Sequence, residues 1–200
     1  MGKLREFSLY IYDIVSVSMN SNSSSIKRLE LPGVLLIRPE LRHDSRGFST
    51  NVYNSSLLTD LGTHTSFIED FTSYSRRGVL RGLHFQRMPH MQDKLVRCTK
   101  GEIFDVAVDC NPASDTYGQH VFAYLRGDEQ TSLYIPGTYA HGFCVLSDEA
   151  IVEYKLSDTY HPESVGGARF DDPFLNISWP ISSPILSQQD TAWPLLEYGK

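Results

Sequence analysis

Short runs rich in valine, isoleucine, tyrosine and phenylalanine follow one another along the chain from Ile26 onward, separated by segments of glycine, proline, asparagine and aspartate. Runs of this length and composition are typical of β-strands, and the segments between them are typical of turns. Many short strands at such spacing predict a sandwich, a barrel or a jelly roll. The six clearest runs are residues 94–99, 102–109, 120–125, 131–136, 141–146 and 150–156.

Helical patterns are scarce in the sequence. One candidate helix covers residues 55–62, and a weaker one follows Ser187. Ser187 and Asp190 fit the Ser-x-x-acid pattern of a capping box, which is a sufficient structural explanation for this aspartate. The sequence therefore predicts an all-β fold with a few short peripheral helices.

The first 25 residues form a predicted N-terminal extension, because a serine-rich polar segment separates them from the first strand-like run. Residues 26–200 are enough for a single domain with a hydrophobic core. The apolar stretch at the start is interrupted by Asp13 and is followed by no small-residue cleavage pattern, which argues against a signal peptide.

The cysteines and the hydropathy indicate a cytoplasmic protein. Cys98, Cys110 and Cys144 are odd in number and form no paired motif for zinc or redox exchange, so we expect reduced thiols. No stretch reaches the roughly 18 apolar residues that a membrane span requires. We therefore expect no membrane partner.

The charge distribution indicates a small anionic ligand. The net charge of -6 argues against nucleic-acid binding, which relies on a basic surface. Residues 76–100, however, contain seven basic residues and one acidic residue, 7 - 1 = +6, whereas the rest of the chain carries 11 - 23 = -12. A basic segment within an acidic protein is typical of an anion site, although a solvated charged face is the alternative.

His84 and His141 stand in predicted strands. Alternation in "GLHFQ" places Gly82, His84 and Gln86 on one face, and His141 begins a later strand. The two imidazoles could bind a metal in a cupin-like barrel, but the sequence has neither His-x-His nor a closely spaced glutamate beside them. Taken singly, His84 is most simply a structural histidine.

Other polar residues also have structural interpretations when each is considered alone. Lys94 opens a predicted strand and by itself is most simply a surface lysine. Tyr154 lies in "IVEYKL", where alternation groups it with Val152 and Leu156 and predicts a core aromatic.

The ordered set of segments changes these interpretations, because together it resembles the dTDP-4-dehydrorhamnose 3,5-epimerase family. The resemblance covers residues of about 29–196. It implies a double-stranded β-helix of the cupin jelly-roll type, usually a homodimer, that acts on a nucleotide-diphosphate 4-keto-6-deoxy sugar without a metal or redox cofactor. The segments are RGF (46–48), GVLRGLHFQ (78–86), KLVRC (94–98), GEIFDVAVD (101–109), YIPGTYAHGF (134–143), EYKLSDTYHPES (153–164) and DDPFLNISWP (171–180).

The resemblance implies four catalytic roles. His84 matches the base that removes a proton next to the ketone, and Asp190 matches the carboxylate that orients this histidine. Lys94 matches the cation beside the C4 oxygen, and Tyr154 matches the acid on the far face of the sugar. Their chemistry suits the roles, since an unperturbed histidine titrates near working pH and a cation stabilises an enolate.

The resemblance also implies a set of substrate-binding residues. Arg46 and Arg81 match arginines at the diphosphate end, where guanidinium groups hold phosphate oxygens in pairs. Strand parity would place Arg81 on the face opposite His84, unless Gly82 forms a bulge. The other predicted contacts are Asn51, Glu69, Gln86, His141 and Tyr160.

Several positions depart from the family pattern. Asn51 replaces a glutamate, Glu-Asp-Phe-Thr-Ser at 69–73 replaces Gln-Asp-Asn-His-Ser, and Thr159-Tyr160 replaces an aromatic pair. These departures leave open a C3-only epimerase, or one for a GDP-linked or other 4-keto sugar nucleotide. More distant alternatives are a metal-dependent cupin oxygenase and a sugar-nucleotide-binding module without catalysis.

Overall fold

Two antiparallel β-sheets form the body of the protein. A computed structural model describes residues 25–60, 62–63 and 65–197. In chain order the strands are β1 (Ser25–Arg28), β2 (Leu35–Arg38), β3 (Arg42–Asp44), β4 (Gly47–Ser49), β5 (Glu69–Arg76), β6 (Leu80–Gln86), β7 (Lys94–Lys100), β8 (Glu102–Val108), β9 (His120–Arg126), β10 (Ser132–Ile135), β11 (Ala140–Val145), β12 (Glu149–Leu156) and β13 (Val165–Gly167).

The strand order identifies a jelly roll. One sheet has the order β1-β2-β10-β7-β12-β5, the other has the order β13-β6-β11-β8-β9, and β3 and β4 form a separate hairpin. All of these strand pairs are antiparallel. Apart from β1–β2 and β8–β9, neighbours in each large sheet are not consecutive in the chain, as when β7 lies between β10 and β12, so the chain winds back and forth between the two sheets. The predicted all-β jelly-roll fold is confirmed.

The main hydrophobic core fills the space between the sheets. Alternate residues of each strand point inward, because successive side chains of a strand face opposite sides. Fully buried side chains from β7, β8, β10, β11 and β12 meet there, and burying each large apolar side chain stabilises the fold by roughly 1.5–3 kcal/mol. The inward residues include Val96, Ile103, Leu133, Phe143 and Val152.

The chain after β13 covers the outer face of the five-stranded sheet. Leu80, Phe104 and Val106 point outward from this sheet and pack against residues of the C-terminal segment such as Leu175 and Trp179. This packing explains why β8 is buried on both faces over most of its length. It also fixes the position of the C-terminal segment that carries the second helix, residues 188–192.

Most predicted elements of the sequence are confirmed with small differences at their ends. The six predicted strand runs correspond to β7 to β12, and the two predicted helices correspond to α1 (Ser55–Asp60) and α2 (Gln188–Ala192). The predicted domain boundary after residue 25 falls inside β1, and residues 1–24 of the proposed extension lie outside the described residues. Within the described part of the chain, no helix has the length and apolar character needed to span a membrane.

Candidate active site

His84 and Asp190 form a close pair, although 106 positions separate them in the sequence. Nε2 of His84 lies 2.5 Å from Oδ1 of Asp190, whose residue is only 3% exposed. Asp190 also lies in the first turn of α2, where its backbone N–H donates to Oγ of Ser187 at 3.0 Å and its Oδ2 accepts from the same hydroxyl at 2.7 Å. The helix cap and the contact with His84 therefore use the same carboxylate at once.

The surroundings of Asp190 keep its carboxyl group ionised. Burial raises its pKa, but the hydrogen bonds from His84 and Ser187 outweigh burial, so the pKa lies below its ordinary value. A carboxylate at Nε2 favours the proton on that nitrogen and leaves Nδ1 to carry the lone pair. Trp193 lies edge-on to the imidazole, with ring centroids 6.0 Å apart.

A bulge in β6 brings Arg81 to the same face as His84. His141 of β11 pairs with His84, and Phe143 pairs with Arg81. The paired positions are three residues apart on β6 but only two residues apart on β11, so β6 has one extra residue here. Residues directly opposite each other in a sheet share a face, as do His141 and Phe143. Of the two alternatives that the sequence left for Arg81, the bulge is therefore confirmed.

Gly82 makes this bulge possible. Its φ is +132°, and a Cβ atom at this position would lie 2.5 Å from Cα of Gly142 on the neighbouring strand. Only glycine fits such a close approach of two backbones in this conformation. Arg81 then reaches β5, where its Nε donates to Oγ of Ser75 at 3.0 Å.

Lys94 is buried between the sheets and is not a surface lysine, so the interpretation of this residue taken alone was wrong. It begins β7 with only 7% of its surface exposed, and its Nζ donates to the carbonyl of Gln92 at 3.2 Å. Burial lowers the pKa of its amine from 10.5 to about 8, although the negative charge of Asp93 opposes this shift. The site therefore holds a poorly solvated amine whose pKa is about 8.

Tyr154 points into the same interior from β12. Its ring contacts Phe71 of β5 at a centroid distance of 5.6 Å, and the ring of His141 lies edge-on at 5.8 Å. Burial and the charge of Asp105 raise the pKa of its hydroxyl, while Ser73 and Arg81 oppose the increase. The phenol thus keeps its proton at neutral pH.

A second histidine–aspartate pair lies next to the first. Nε2 of His141 is 2.7 Å from Oδ1 of Asp105, and both residues are buried. Burial raises the pKa of Asp105, and the interaction with His141 opposes this change. Reasoning from the sequence missed Asp105. Its signal was an aspartate at an inward position of the hydrophobic run "EIFDVAVD".

Three of the four predicted catalytic side chains lie on strands of the two large sheets, and the fourth, Asp190 of α2, contacts His84. His84 belongs to the five-stranded sheet, whereas Lys94 and Tyr154 belong to the six-stranded sheet. The contact between His141 and Tyr154 bridges the two sheets at this point. A base on one wall and a protonated phenol on the other can act on the two faces of a ligand that enters between them.

Gln86 has a structural role that the sequence did not indicate. Its side chain is buried, and its amide nitrogen donates to the carbonyls of His90 at 2.9 Å and Thr159 at 3.1 Å. Its amide oxygen accepts from the backbone N–H of His161 at 2.7 Å. The side-chain amide of Gln86 therefore joins the two loops through three hydrogen bonds. Tyr160, which lies on one of these loops, is 64% exposed.

The remaining predicted contacts lie at the surface. Arg46 is on the turn of the β3–β4 hairpin, and its side chain is 87% exposed and paired with Asp44. Asn51 is exposed in the following loop, and Glu69 begins β5 opposite Leu156. Because the hairpin belongs to neither large sheet, the structure does not bring Arg46 to the wall that carries His84.

The family model described as dTDP-4-dehydrorhamnose 3,5-epimerase matches residues 28–198. The chain belongs to this epimerase family. It is 44% identical over 174 residues to the dTDP-4-dehydrorhamnose 3,5-epimerase of Methanothermobacter thermautotrophicus, with 85% of this chain and 94% of the relative covered. The family is one of isomerases, and membership therefore favours epimerisation over the metal-dependent oxygenase alternative.

Solved structures of epimerases have the same fold. The dTDP-6-deoxy-D-glucose-3,5-epimerase of Legionella pneumophila, in complex with dTDP-4-keto-L-rhamnose, matches with a TM-score of 0.83 and 40% identity over 86% of this chain and 93% of that chain. A second epimerase, a dTDP-4-dehydrorhamnose 3-epimerase of Streptomyces niveus, is 37% identical over 82% of this chain and 80% of the relative. The relatives thus include an enzyme named for two centres and an enzyme named for one.

Proposed function

We propose that this protein inverts C3 and C5 of dTDP-4-dehydro-6-deoxyglucose to give dTDP-4-dehydrorhamnose, by proton removal and return without a cofactor. The observation that carries the proposal is that His84 and Tyr154 lie on strands of different sheets and that His141, which pairs with His84, contacts the ring of Tyr154. Inversion of a carbon centre requires a base on one face and an acid on the other, and the two sheets supply one each.

His84 acts as the base in this proposal. The ketone at C4 acidifies the hydrogens on C3 and C5, so Nδ1 of the imidazole can take one of them as a proton. The C–H electron pair forms a double bond between that carbon and C4, the C4=O π pair moves to O4, and the ketone becomes an enolate. Asp190 holds the ring through Nε2 and stabilises the imidazolium that results.

Lys94 stabilises the enolate oxygen. Negative charge develops on O4 as the proton leaves, and a buried ammonium interacts with it more strongly than one in water would. The lowered pKa of Lys94 shows that its charge is poorly solvated in the free protein. An anion next to Nζ therefore offsets the free-energy cost of burying the ammonium charge.

Tyr154 completes the inversion. Its hydroxyl gives a proton to the carbon from the face opposite His84, and the enolate returns to the ketone. The phenolate regains a proton from solvent and the imidazolium loses one, so no net proton is consumed. Arg81, whose charge lowers the pKa of Tyr154, favours the transient phenolate.

A C3-only reaction is the second candidate, and Phe71 is the observation that favours it. Phe71 packs on Tyr154 and is 50% exposed, so it forms an apolar wall directly beside the proposed acid. It stands where the family pattern has an asparagine. A bulky ring at this position restricts how the sugar turns between the first and the second proton transfer.

Arg81 and Arg46 are the proposed binding residues for the diphosphate of the substrate. Arg81 shares a face with His84, and basic residues cluster between positions 76 and 100. We propose that Arg81 binds the diphosphate of the same subunit and that Arg46, on its projecting hairpin, binds the diphosphate in a partner subunit. The active form would then be a homodimer in which the six strand residues of the hairpin, exposed in the single chain, become covered.

A cytoplasmic setting is part of the same proposal. Cys98, Cys110 and Cys144 are free thiols. Burial raises the pKa of the Cys98 thiol to about 11 and those of Cys110 and Cys144 to about 12, so the thiols are unreactive. Such thiols fit a reducing compartment.

Product configuration tests the assigned reaction. The full-length protein is incubated with dTDP-4-dehydro-6-deoxyglucose and, separately, with a GDP-linked 4-keto-6-deoxy sugar, and proton NMR couplings report the configuration at C3 and C5. We expect the dTDP substrate to be inverted at both centres. Inversion at C3 alone would establish the second candidate, and faster turnover of the GDP-linked sugar would overturn the nucleotide assignment.

A further inference from the structure

A second group of titratable side chains lies in two loops next to Gln86. His90 lies between β6 and β7, whereas Asp158, His161 and Glu163 follow β12. One possible ligand atom from each of His90, His161 and Glu163 lies within 4.8 Å of the others, a grouping that no other three histidine, cysteine or acidic residues in the described ranges form. The two imidazole rings are stacked, with centroids 3.5 Å apart.

The side chain of Gln86 holds the backbone of both histidines through hydrogen bonds. The buried amide of Gln86 donates to the carbonyl of His90 and accepts from the N–H of His161. Thr159, two positions before His161, is bound by the same amide. The two loops are therefore joined before any ligand arrives, and little chain entropy remains to oppose binding at this point.

The side chains have the donor pattern of a metal site with supporting hydrogen bonds. Nδ1 of His90 lies 3.1 Å from Oδ2 of Asp158, so a proton on Nδ1 leaves the lone pair on Nε2. A carboxylate behind a histidine is the arrangement that orients metal-binding imidazoles and makes them more basic.

The His161–Glu163 pair has the spacing of two ligands on one ion. Nδ1 of His161 lies 3.3 Å from Oε1 of Glu163, and adjacent ligands in a tetrahedral zinc site with bonds of about 2.0–2.1 Å are also about 3.3 Å apart. Nε2 of His161 contacts the hydroxyl of Thr159 at 3.2 Å, and a proton there directs the Nδ1 lone pair toward Glu163. With this tautomer, the lone pairs of Nδ1 of His161 and Oε1 of Glu163 can both bind one cation.

We propose that His90, His161 and Glu163 bind one divalent transition-metal ion such as Zn²⁺, with Asp158 supporting His90 from behind. Two imidazoles and one carboxylate are a donor set that zinc accepts. The side chain of His90 is 32% exposed, which gives its ring room to turn out of the stack and point Nε2 at the ion. The ion links the loop after β6 to the loop that carries Tyr160, and it takes no part in the proton transfers at His84.

Zinc binding by the untagged full-length protein tests this site. The protein is stripped with a chelator and dialysed against buffered ZnCl₂, and bound metal is counted by elemental analysis. We expect one zinc ion per chain, a rise in the melting temperature that depends on zinc concentration, and d–d absorption bands when Co²⁺ replaces zinc. His161→Asn and His90→Asn should each weaken binding by about tenfold or more.

Two matched variants make the outcome decisive. His43→Asn removes an exposed histidine on β3, and it should bind zinc as the parent protein does. His84→Asn removes a histidine of the proposed active site, and it too should retain the ion. The proposal is overturned if the parent binds no zinc saturably, if His161→Asn binds as well as the parent, or if His84→Asn is the variant that loses the metal.

Discussion

At the scale of single residues, burial determines the chemistry of the site more than residue type does. Lys94, Tyr154 and Asp105 all lie between the sheets, and burial is the largest cause of the pKa shift in each of them. The sequence indicated which way Tyr154 faces. It could not indicate how deeply Lys94 is buried, because this depends on β10 and β12, the strands that flank β7.

Lys94 should set the alkaline limit of activity. The proposed role requires the ammonium form, and its pKa is about 8, so kcat/KM should fall as the pH rises through about 8. A pH–rate profile between neutral pH and pH about 10.5 measures this limit. An alkaline limb that begins only near the ordinary lysine value would contradict the role.

The same residue should make the free energy of unfolding depend on pH. Its folded pKa of about 8 lies below the value of 10.5 in the unfolded chain, so the unfolded chain binds more protons between these values and stability rises with pH across this window. Below pH 8 the burial of the charge destabilises the fold by about 3 kcal/mol. Lys94→Met should therefore be inactive yet more stable at pH 7 in urea unfolding, with a flatter pH dependence.

At the scale of secondary-structure elements, alternation predicted most strands correctly and strand irregularities poorly. The runs from β7 to β12 carry hydrophobic residues on both faces or on alternate positions, so their pattern is clear. β5 has no hydrophobic run, because serines occupy its two buried positions, 73 and 75, and exposed residues precede and separate them, so no strand was predicted there. The bulge at Gly82 depends on contact with Gly142, which a sequence pattern does not reveal.

Gly82 and Gly47 form a matched pair that tests the bulge. Both have nearly the same positive φ, +132° and +131°, but a Cβ at Gly82 meets the backbone of Gly142 whereas a Cβ at Gly47 meets nothing within 4 Å. In the dissociated chain, Gly47→Ala should lower the free energy of unfolding only by the strain of the backbone, about 1–3 kcal/mol. Gly82→Ala should lower it by more and should abolish activity. Equal losses of stability in urea titrations would show that the close approach is unimportant.

The N-terminal extension should be dispensable for the proposed chemistry. The two sheets of the described structure are complete from Ser25, where β1 pairs with β2, and every residue of the proposed site lies after it. Removal of residues 1–18, so that Met19 becomes the start, should leave turnover and the melting temperature nearly unchanged. A collapse of either quantity would place the extension in the fold or in a subunit contact.

At the scale of the whole molecule, the hairpin that carries Arg46 gives the dimer proposal a direct test. Arg46→Ala and His84→Ala are each expected to be nearly inactive as homodimers. If Arg46 serves the partner subunit, a mixed dimer contains one intact site, and random pairing of equal amounts should restore about a quarter of parental activity. Co-expression followed by an activity assay measures this. No recovery, or an Arg46→Ala variant with parental activity, would contradict the proposal.

The pairing of residues across the whole chain is also where sequence reasoning was most limited. His84 and Asp190 were matched through the family resemblance, since no periodicity relates positions 106 apart. His141 and Asp105 meet because β11 and β8 are neighbours in the sheet, and this required the strand order.

The most direct test of the central claim compares hydrogen exchange with inversion in deuterated water. The parent protein, His84→Ala and Tyr154→Phe are incubated with the 4-keto substrate, and NMR follows both deuterium at C3 and C5 and the configuration of the product. We predict that His84→Ala loses exchange and inversion together by about 10²- to 10⁴-fold, the usual contribution of a positioned base. Tyr154→Phe should keep exchange at C3 while inversion falls sharply, because His84 can return a proton to the face it came from. Near-parental exchange in His84→Ala, or no loss of inversion in Tyr154→Phe, would contradict the account.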